Sequence, residues 1–471
     1  MRRMKFLSLA TFALASISMI SCSSDDDTFN EPQQPNNKDN VITLTTTVSR
    51  SITAQTRALT ADGVKTFAAG DRIAVVYKNT SGNMVKVLSN TLPDGDYGSS
   101  ATFTVTLTNP QSKGSLKYIY PAAMANADGS INYDALATQD GTLASIAANL
   151  DLALYEGSLT STAVLPDEVT MDNKLVVAKF TIKNGETDIT NTVTSLKVGD
   201  GTNTYTVTPS SLSTIWVAMQ PVSSDKIVYV GATAGGQGYG KAVTSKTLSE
   251  GYIYPVNISM IANTTLATLK SGGVGDRMGD YVKATGEVSK APFDAIGRVA
   301  YKAYNGEYSE GIVEQNNPDY KILVLALTDV GSYSWKYTNG GGESDWNDPD
   351  ALNGLAFCST FCSKTHEDPL THEVEWAYPA AHYACEWQTS RPGGASIWFF
   401  PSRKQLELMS DVALADGVGQ FTEGSYWTAT EAQPGSEPSA RFYQVKSDHS
   451  QNAFKYSVKG NERKVRACFA Y

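Results

Sequence analysis

Cysteine and histidine are scarce in this 471-residue sequence, and all four His and four of the five Cys lie beyond residue 330. Cys358, Cys362 and His366 recur every four residues, so a helix of sufficient length would place them on one face. Disulfides, buried thiols and a metal site remain open, but zinc sites usually have tighter pairs such as C-x-x-C, so no metal ligands are assigned. Cys358 and Cys362 are poor partners for each other within a helix, so each is expected to pair with Cys385 or Cys468 or to stay a buried thiol. The candidate disulfide residues are Cys358, Cys362, Cys385 and Cys468.

The fifth cysteine, Cys22, ends a segment with the features of an export signal. Basic residues precede an apolar stretch from Phe6 to Ile20, which is too short to remain in a bilayer as a spanning helix. Met19-Ile20-Ser21-Cys22 resembles a bacterial lipobox, in which the Cys is acylated and becomes the new N-terminus. We therefore expect a lipoprotein signal peptide at 1–21 and lipidation of Cys22. A plain signal peptide with a structural Cys is the alternative.

Residues 22–40 predict an acidic and polar tether between the lipid and the folded part. The run Ser23-Ser24-Asp25-Asp26-Asp27 resembles the Ser-plus-acidic export signal of surface lipoproteins in Bacteroidota. This resemblance implies an outer-membrane anchor exposed on the cell surface, and retention in the periplasm is the alternative.

Composition and motifs exclude several classes of function. Acidic residues (48) outnumber basic ones (38), and the formal net charge of −10 opposes binding to nucleic acid. The sequence has no G-x-S-x-G, H-E-x-x-H, P-loop or dinucleotide-binding pattern, and no close pair of carboxylates stands out. We therefore expect neither an enzyme nor a bound cofactor.

From Val41 the sequence predicts short strands separated by turns. Val41–Val48 is β-branched and partly alternating, as a half-buried strand requires, and similar segments follow with almost no helical periodicity. This texture is typical of antiparallel sandwiches. Two β-sandwich domains are predicted, at 41–145 and 146–262.

Several segments of these two domains resemble Mfa-like fimbrillins, the pilins of Bacteroidota. Phe67-Ala68-Ala69-Gly70-Asp71-Arg72-Ile73-Ala74-Val75 is similar to the F-x-x-G-D-x-I-x-V signature of that family, with Gly70 and Asp71 at its turn. Tyr118-Ile119-Tyr120-Pro121-Ala122 and the closing Gly251–Ile258 segment resemble later landmarks. The resemblance covers about 41–262.

The resemblance implies a route of assembly. Fimbrillins lose an N-terminal strand to an Arg-directed protease, and the groove that opens accepts a strand from the next subunit. Here the strand would be Val41–Val48, and the candidate scissile residues are Arg50 and Arg57, which lie in polar, Thr-rich sequence expected to be exposed. Arg57 is preferred, and the alternative is two surface arginines with no processing.

Residues 266–471 predict a separate α+β domain, with helices at Asp350–Lys364 and Ser402–Ala415. The landmarks of this domain are Trp398-Phe399-Phe400-Pro401-Ser402, Tyr426-Trp427-Thr428-Ala429-Thr430-Glu431 and Lys464-Val465-Arg466-Ala467. Together they resemble C-type-lectin-like domains of collagen-like bacterial adhesins, and two departures are Gln405 for Glu and Phe400 for Leu. We expect Trp398 and Trp427 to be core residues rather than sugar-binding faces, and Glu431 to pair with Arg466 across the fold. The motif residues assigned to the scaffold are Trp398, Pro401, Tyr426, Trp427, Glu431 and Arg466.

Taken together, the sequence predicts a fimbrial subunit at the cell surface with a C-terminal adhesive domain. A whole domain occupies the end that an ordinary fimbrillin uses as its donor strand, so we expect a tip subunit. Its partners would be other fimbrial subunits and a host glycan or protein. The alternative is a surface lipoprotein that binds carbohydrate or protein and never polymerises.

Overall fold

The computed structural model describes residues 39–50, 66–95, 97–245, 247–272, 274, 277–303, 319–336, 354–367, 371–431, 439–447 and 452–471. Strands dominate these residues, so the prediction of a mainly β chain is confirmed. No helix in the described part is long and apolar enough to cross a membrane. Cys22 and Arg57 lie outside the described residues.

Seven of the first eight strands form one sheet, in the spatial order β3-β2-β5-β7-β8-β1-β4, and β6 joins the next sheet. The eight strands are β1 (Val41–Arg50), β2 (Ala74–Lys78), β3 (Met84–Leu88), β4 (Ser100–Thr108), β5 (Ser115–Tyr120), β6 (Thr138–Gln139), β7 (Ala153–Ser158) and β8 (Glu168–Asn173).

Alternation of apolar and polar residues gives this sheet one buried face. In β4, for example, Phe103, Val105 and Leu107 are buried and the residues between them are not. These side chains share a core with Val75 and Tyr77 of β2, which lies near the opposite end of the strand order. The sheet therefore curls around its core, as a sandwich does.

The next eight strands and β6 make up a nine-stranded sheet, in the order β10-β9-β16-β15-β14-β11-β12-β6, with β13 paired to β9. A helical segment beside it consists of α1 (Leu143–Ser145) and one π-helical turn, Ile146–Leu150. The strands are β9 (Val176–Asn184), β10 (Thr187–Asp188), β11 (Val193–Gly199), β12 (Thr204–Val207), β13 (Ile215–Met219), β14 (Ile227–Ala234), β15 (Gln237–Thr244) and β16 (Ile253–Ala262).

The predicted boundary at residues 145 and 146 does not coincide with the division between the two sheets. Strands β7 and β8 lie beyond it yet complete the first sheet. Conversely, Leu136 precedes the boundary and packs with Ile146 and Leu150 in the core of the second sheet. The chain crosses to the second sheet before β7 and then returns to the first sheet. It does so because the apolar segment with Leu136, Ile146 and Leu150 is buried in the core of the second sheet.

The residues that the structure describes beyond the second sheet form three further sheets and four short helices. The sheets have the orders β17-β19-β18-β20-β21-β29, β22-β28-β25-β26-β27 and β23-β24. The helices are α2 (Leu266–Lys270), α3 (Gly354–Phe361), α4 (Pro379–Cys385) and α5 (Arg403–Leu414). The strands are β17 (Thr264–Thr265), β18 (Tyr281–Lys283), β19 (Glu287–Ser289), β20 (Ala295–Lys302), β21 (Ile322–Ala326), β22 (Gly331–Ser334), β23 (Thr365–Glu367), β24 (Val374–Trp376), β25 (Gly424–Glu431), β26 (Ser439–Val445), β27 (Ala453–Val458), β28 (Glu462–Val465) and β29 (Cys468–Ala470).

Both helices predicted in this region are present among the described residues, and α5 is one residue shorter at each end than predicted. Ser402 caps α5 through a capping box, in which its hydroxyl accepts from the Gln405 backbone N–H and the Gln405 side chain accepts from the Ser402 N–H. Helix α3 ends at Phe361. His366 lies in β23, so Cys358, Cys362 and His366 do not share one helical face as the spacing suggested.

The second sheet packs directly against the C-terminal region through buried aromatic residues. The hydroxyl groups of Tyr229 in β14 and Tyr281 in β18 are 3.0 Å apart, and both rings are buried. At the edge of this contact Lys197 pairs with Asp294 at 2.8 Å. The C-terminal region is thus joined to the second sheet by side-chain packing as well as by the chain.

Candidate functional site

Strand β1 lies inside the first sheet, with a strand paired along each of its sides. It runs antiparallel to β4 from Val41 opposite Thr108 to Ser49 opposite Ser100. On its other side it runs parallel to β8, from Thr47 beside Glu168 to Arg50 beside Met171. Although β1 is the first strand of the fold, it is therefore not at the edge of the sheet. Its removal would open a groove between β4 and β8.

One face of β1 points into the core. Val48 and Thr46 are buried, Leu44 packs against the core, and the Thr46 hydroxyl donates to the carbonyl of Pro166 at 2.8 Å. The period of two continues to Arg50, which is also buried. Strand β1 thus fills part of the core, and its last inward position holds a charge.

The opposite face of β1 carries hydroxyl groups that meet those of β4. The side-chain oxygens of Thr43 and Thr106 are 3.0 Å apart, and the Ser49 hydroxyl donates to that of Ser100 at 3.1 Å. Because these groups are exposed, water can replace each bond, and their net contribution to stability is small. The backbone pairing and the inward face therefore hold β1 in place.

Arg50 occupies a buried pocket formed by residues from distant parts of the chain. Its Nη2 atom donates to a carboxylate oxygen of Asp151, just before β7, and to the side-chain carbonyl of Asn173 in β8 at 3.3 Å. Its guanidinium carbon lies 4.6 Å from the ring centroid of Tyr120 and 5.9 Å from that of Phe67. We call Tyr120, Phe67, Asp151 and Asn173 the arginine pocket.

The fimbrillin-like motifs converge on this pocket. Gly70 has φ of +91°, a conformation that favours glycine, and the adjacent Asp71 carboxylate accepts from the Ala68 backbone N–H at 2.8 Å. The same oxygen accepts from the Tyr120 hydroxyl at 2.8 Å. Burial and the nearby Asp71 charge raise the pKa of Tyr120, so its phenol stays protonated and donates. The two motifs therefore orient the ring that faces Arg50.

The structure corrects one expectation about processing. Arg50 was expected in exposed chain, but only 3% of its surface is exposed and it ends a strand. A protease cannot reach this residue while β1 is in place, because cleavage needs several residues of accessible, extended chain. Sequence reasoning also missed Asp151 and Asn173. The alternation in β1 was the signal that placed Arg50 on the inward face.

The lectin-like motif residues of the C-terminal region are part of its cores. Trp398 and Trp427 are buried, and their indole N–H groups donate to the carbonyls of Thr389 at 2.7 Å and Tyr333 at 2.9 Å. Tyr426 is buried in a stacked arrangement with Phe421, with ring centroids 4.2 Å apart. Pro401 is buried and accepts a bond from the Ala429 N–H at 2.9 Å. The prediction that both tryptophans are core residues is confirmed.

The predicted pairing of Glu431 with Arg466 is wrong. Glu431 forms a buried ion pair with Lys459, which follows β27. Arg466 donates to the Asp329 carboxylate at 2.6 Å and to the carbonyl of Gly419 at 2.8 Å. Glu431 and Arg466 therefore bind different partners. Glu431 ends β25 and Arg466 follows β28, so the two side chains face different loops.

The four described cysteines are all present as thiols. A hydrogen bond with the Cys358 thiol and burial raise the pKa of Cys385, and burial alone raises the pKa of Cys468. Burial is the main reason that the pKa of Cys362 rises to about 11. Among the described residues, no group of three or more His, Cys, Asp or Glu side chains could hold a metal ion. Disulfide formation stays a prediction, for which Cys385 has two adjacent candidate partners.

No family model matches the chain, and no curated protein sequence matches it. Solved structures similar to it include a protein of Bacteroides ovatus described as a candidate cell adhesion protein (14% identity, 47% of this chain, 95% of that chain, TM-score 0.27). A protein of Parabacteroides distasonis with the same description covers 46% of this chain and 87% of its own, at 14% identity and a TM-score of 0.27. The C-terminally truncated tip fimbrial protein Mfa3 from Porphyromonas gingivalis covers 47% and 95%, at 12% identity and a TM-score of 0.23. Because these TM-scores are below 0.5, the likeness carries no argument about the function of this chain.

Proposed function

We propose that this protein is exported to the cell surface as a lipid-anchored precursor, and that after processing it is a fimbrial subunit that accepts a strand from a neighbouring subunit in place of β1. The observation that carries the proposal is the position of β1. It is the first strand of the fold, yet it lies between β4 and β8 and fills part of their core. A segment with this position can be replaced by an equivalent strand without changing the rest of the sheet.

The energetics of the groove favour such a replacement. Loss of β1 leaves the backbone N–H and C=O groups of one side of β4 without their strand partners. It also exposes the core beneath Leu44 and Val48. An incoming strand restores both the backbone pairing and the apolar burial, which is how strand addition gains its stability.

The structure favours Arg57 over Arg50 as the scissile residue of this proposal. Arg50 is buried in its pocket, whereas a cut after Arg57 would release all of β1 together with its buried arginine. We therefore place the new N-terminus of the assembled protein at Ala58.

The burial of β29, the last described strand, supports a place for this subunit at the tip of the fibre. Strand β29 pairs with β21, and Cys468, Phe469 and Ala470 are buried. Pulling β29 out as a donor would disrupt the core of the C-terminal region. A subunit that accepts a strand but does not supply this one fits the tip, with the C-terminal region facing a host glycan or protein.

The test is N-terminal sequencing of surface material, combined with electron microscopy using an antibody against residues 266–471. Wild-type protein is expected to begin at Ala58 and to carry label at fibre tips. Arg57→Lys, which keeps the charge but removes the Arg-specific site, is expected to retain Val41–Arg50 and to leave the fibre tips without label. Wild-type surface protein that keeps β1 and occurs as single molecules would support the non-polymerising binding lipoprotein instead.

A further inference from the structure

The arginine pocket remains with the groove when β1 leaves. Asp151 precedes β7, Asn173 ends β8, and Tyr120 ends β5, so none of them is part of the strand that would be replaced. Asp151 is 5% exposed, and its contact with Arg50 is made inside the sheet. The groove therefore keeps the Asp151 carboxylate at the level where Arg50 lies, and a strand that fills the groove buries this carboxylate again.

We propose that this groove selects a donor strand with a basic residue at the level of Arg50. The inference rests on the proposed function and names the chemistry of the partner. A strand with an apolar residue at that level would bury the Asp151 carboxylate without this cation, which is strongly unfavourable in a site of low dielectric constant. A basic side chain restores the ion pair and also meets the faces of Tyr120 and Phe67.

The remaining inward positions of β1 define the rest of the partner. Leu44 and Val48 contact the core, so the donor needs apolar side chains at these two levels. Thr46 is buried and bonded to the Pro166 carbonyl, so this level requires a small residue with a hydroxyl group. The outward positions are exposed at Val41, Thr43 and Thr45 and half-buried at Thr47 and Ser49, so they impose less constraint. The donor strand is therefore expected to have, at alternate residues, an apolar side chain, a small side chain with a hydroxyl group, a second apolar side chain and a basic side chain.

The experiment uses the full chain with a specific protease site inserted after Arg57. After cleavage and release of the strand, a fluorescent peptide of residues 41–50 (VITLTTTVSR) is bound to the groove. Unlabelled competitors are the same peptide, its R50M variant and its T45M variant. Thr45 is exposed, so T45M is the matched control for the added side chain. The peptides are also tested against the chain with Asp151→Asn.

In the wild-type groove, R50M is expected to compete roughly 100-fold or more weakly than the unchanged peptide, and T45M within about threefold of it. With Asp151→Asn the preference for arginine should fall below about tenfold, since the carboxylate that selects it is gone. Equal competition by R50M and the unchanged peptide in the wild-type groove would overturn the inference while leaving strand replacement intact. A groove that binds none of the peptides would contradict strand replacement, and with it the inference.

Discussion

Arg50 and Asp151 lie 101 residues apart in the sequence and form an ion pair that is almost entirely removed from solvent. The pair joins the end of the first strand to the chain that leads into β7, and the Arg50 guanidinium lies over the rings of Phe67 and Tyr120 in the core of the first sheet. This ion pair stabilises β1 in the uncut protein. Because β1 is the segment proposed to leave, the same Asp151 carboxylate is proposed to select the side chain that an incoming strand has at the level of Arg50.

The buried pair should make a large contribution to the stability of β1. Arg50→Met leaves the Asp151 carboxylate buried without this cation, and is expected to lower the free energy of opening β1 by about 3–5 kcal/mol. Native-state hydrogen exchange of the β1 and β4 amides measures this quantity. Lys117→Met is the control, because Lys117 pairs with Glu156 in the same sheet at 2.8 Å but both side chains are partly exposed. That change should cost less than about 1 kcal/mol, and equal losses would contradict the prediction.

The thiol of Cys362 should be unreactive near neutral pH. Its pKa of about 11, against 9.0 for an unperturbed thiol, predicts a thiolate fraction about 100-fold lower at pH 8. Iodoacetamide labelling of the reduced protein, followed by mass spectrometry, should give a midpoint near pH 11 for this residue. The same chain in urea serves as control, with a midpoint near 9. Because the pKa of Cys362 is higher in the folded protein than in the unfolded chain, the free energy of unfolding falls as the pH rises from about 9 to about 11. A folded-state midpoint near 9 would show that burial does not control this thiol.

Gly417 should be required where the second sheet meets the C-terminal region. A Cβ atom there would lie 2.5 Å from the Tyr229 hydroxyl oxygen and 2.8 Å from that of Tyr281, and its φ is +118°. Gly417→Ala is therefore expected to lower the free energy of unfolding by about 1–3 kcal/mol more than Gly272→Ala. Gly272 is the matched control because its φ is +86° and the space around it is open. Thermal unfolding and limited proteolysis measure the two effects, and equal losses would show that the contact tolerates a methyl group.

The corrected pairing of Glu431 can be measured by double-mutant cycles. The cycle of Glu431→Gln with Lys459→Met should give a coupling free energy of about 1–3 kcal/mol, because the two side chains form a buried pair. The cycle of Glu431→Gln with Arg466→Gln should be additive within about 0.5 kcal/mol. Unfolding of the C-terminal region in the full chain provides the values. A larger coupling free energy for Glu431 with Arg466 than for Glu431 with Lys459 would contradict this prediction and support the pairing that the sequence suggested.

The sequence predicted local features well where a single pattern decided the outcome. The β-branched alternation from Val41 predicted β1, and Ser402 predicted the start of α5. Strand β8 was missed because its inward residues are Val169, Met171 and Asn173, while Glu, Thr and Asp alternate with them. A strand with so few apolar residues does not stand out from a polar loop.

Pairings between distant residues could not be predicted in the same way. Nothing near Arg50 in the sequence indicates that Asp151 and Asn173 will surround it, since the contact depends on how β7, β8 and β1 are ordered in the sheet. The same holds for Glu431, whose partner Lys459 lies beyond two further strands. Opposite charge was the reason to pair Glu431 with Arg466, but the loops around β28 bring Lys459 to Glu431 instead.

The central claim is that the groove between β4 and β8 is occupied by another subunit's strand in the assembled state. Hydrogen exchange of the β4 amides, Ser100–Thr108, in isolated fibres tests it most directly when combined with the intact mass of the subunits. We predict subunits that lack β1 and whose β4 amides exchange as slowly as in the uncut monomer. Fibres whose subunits retain β1, or whose β4 amides exchange rapidly after β1 is lost, would contradict the account.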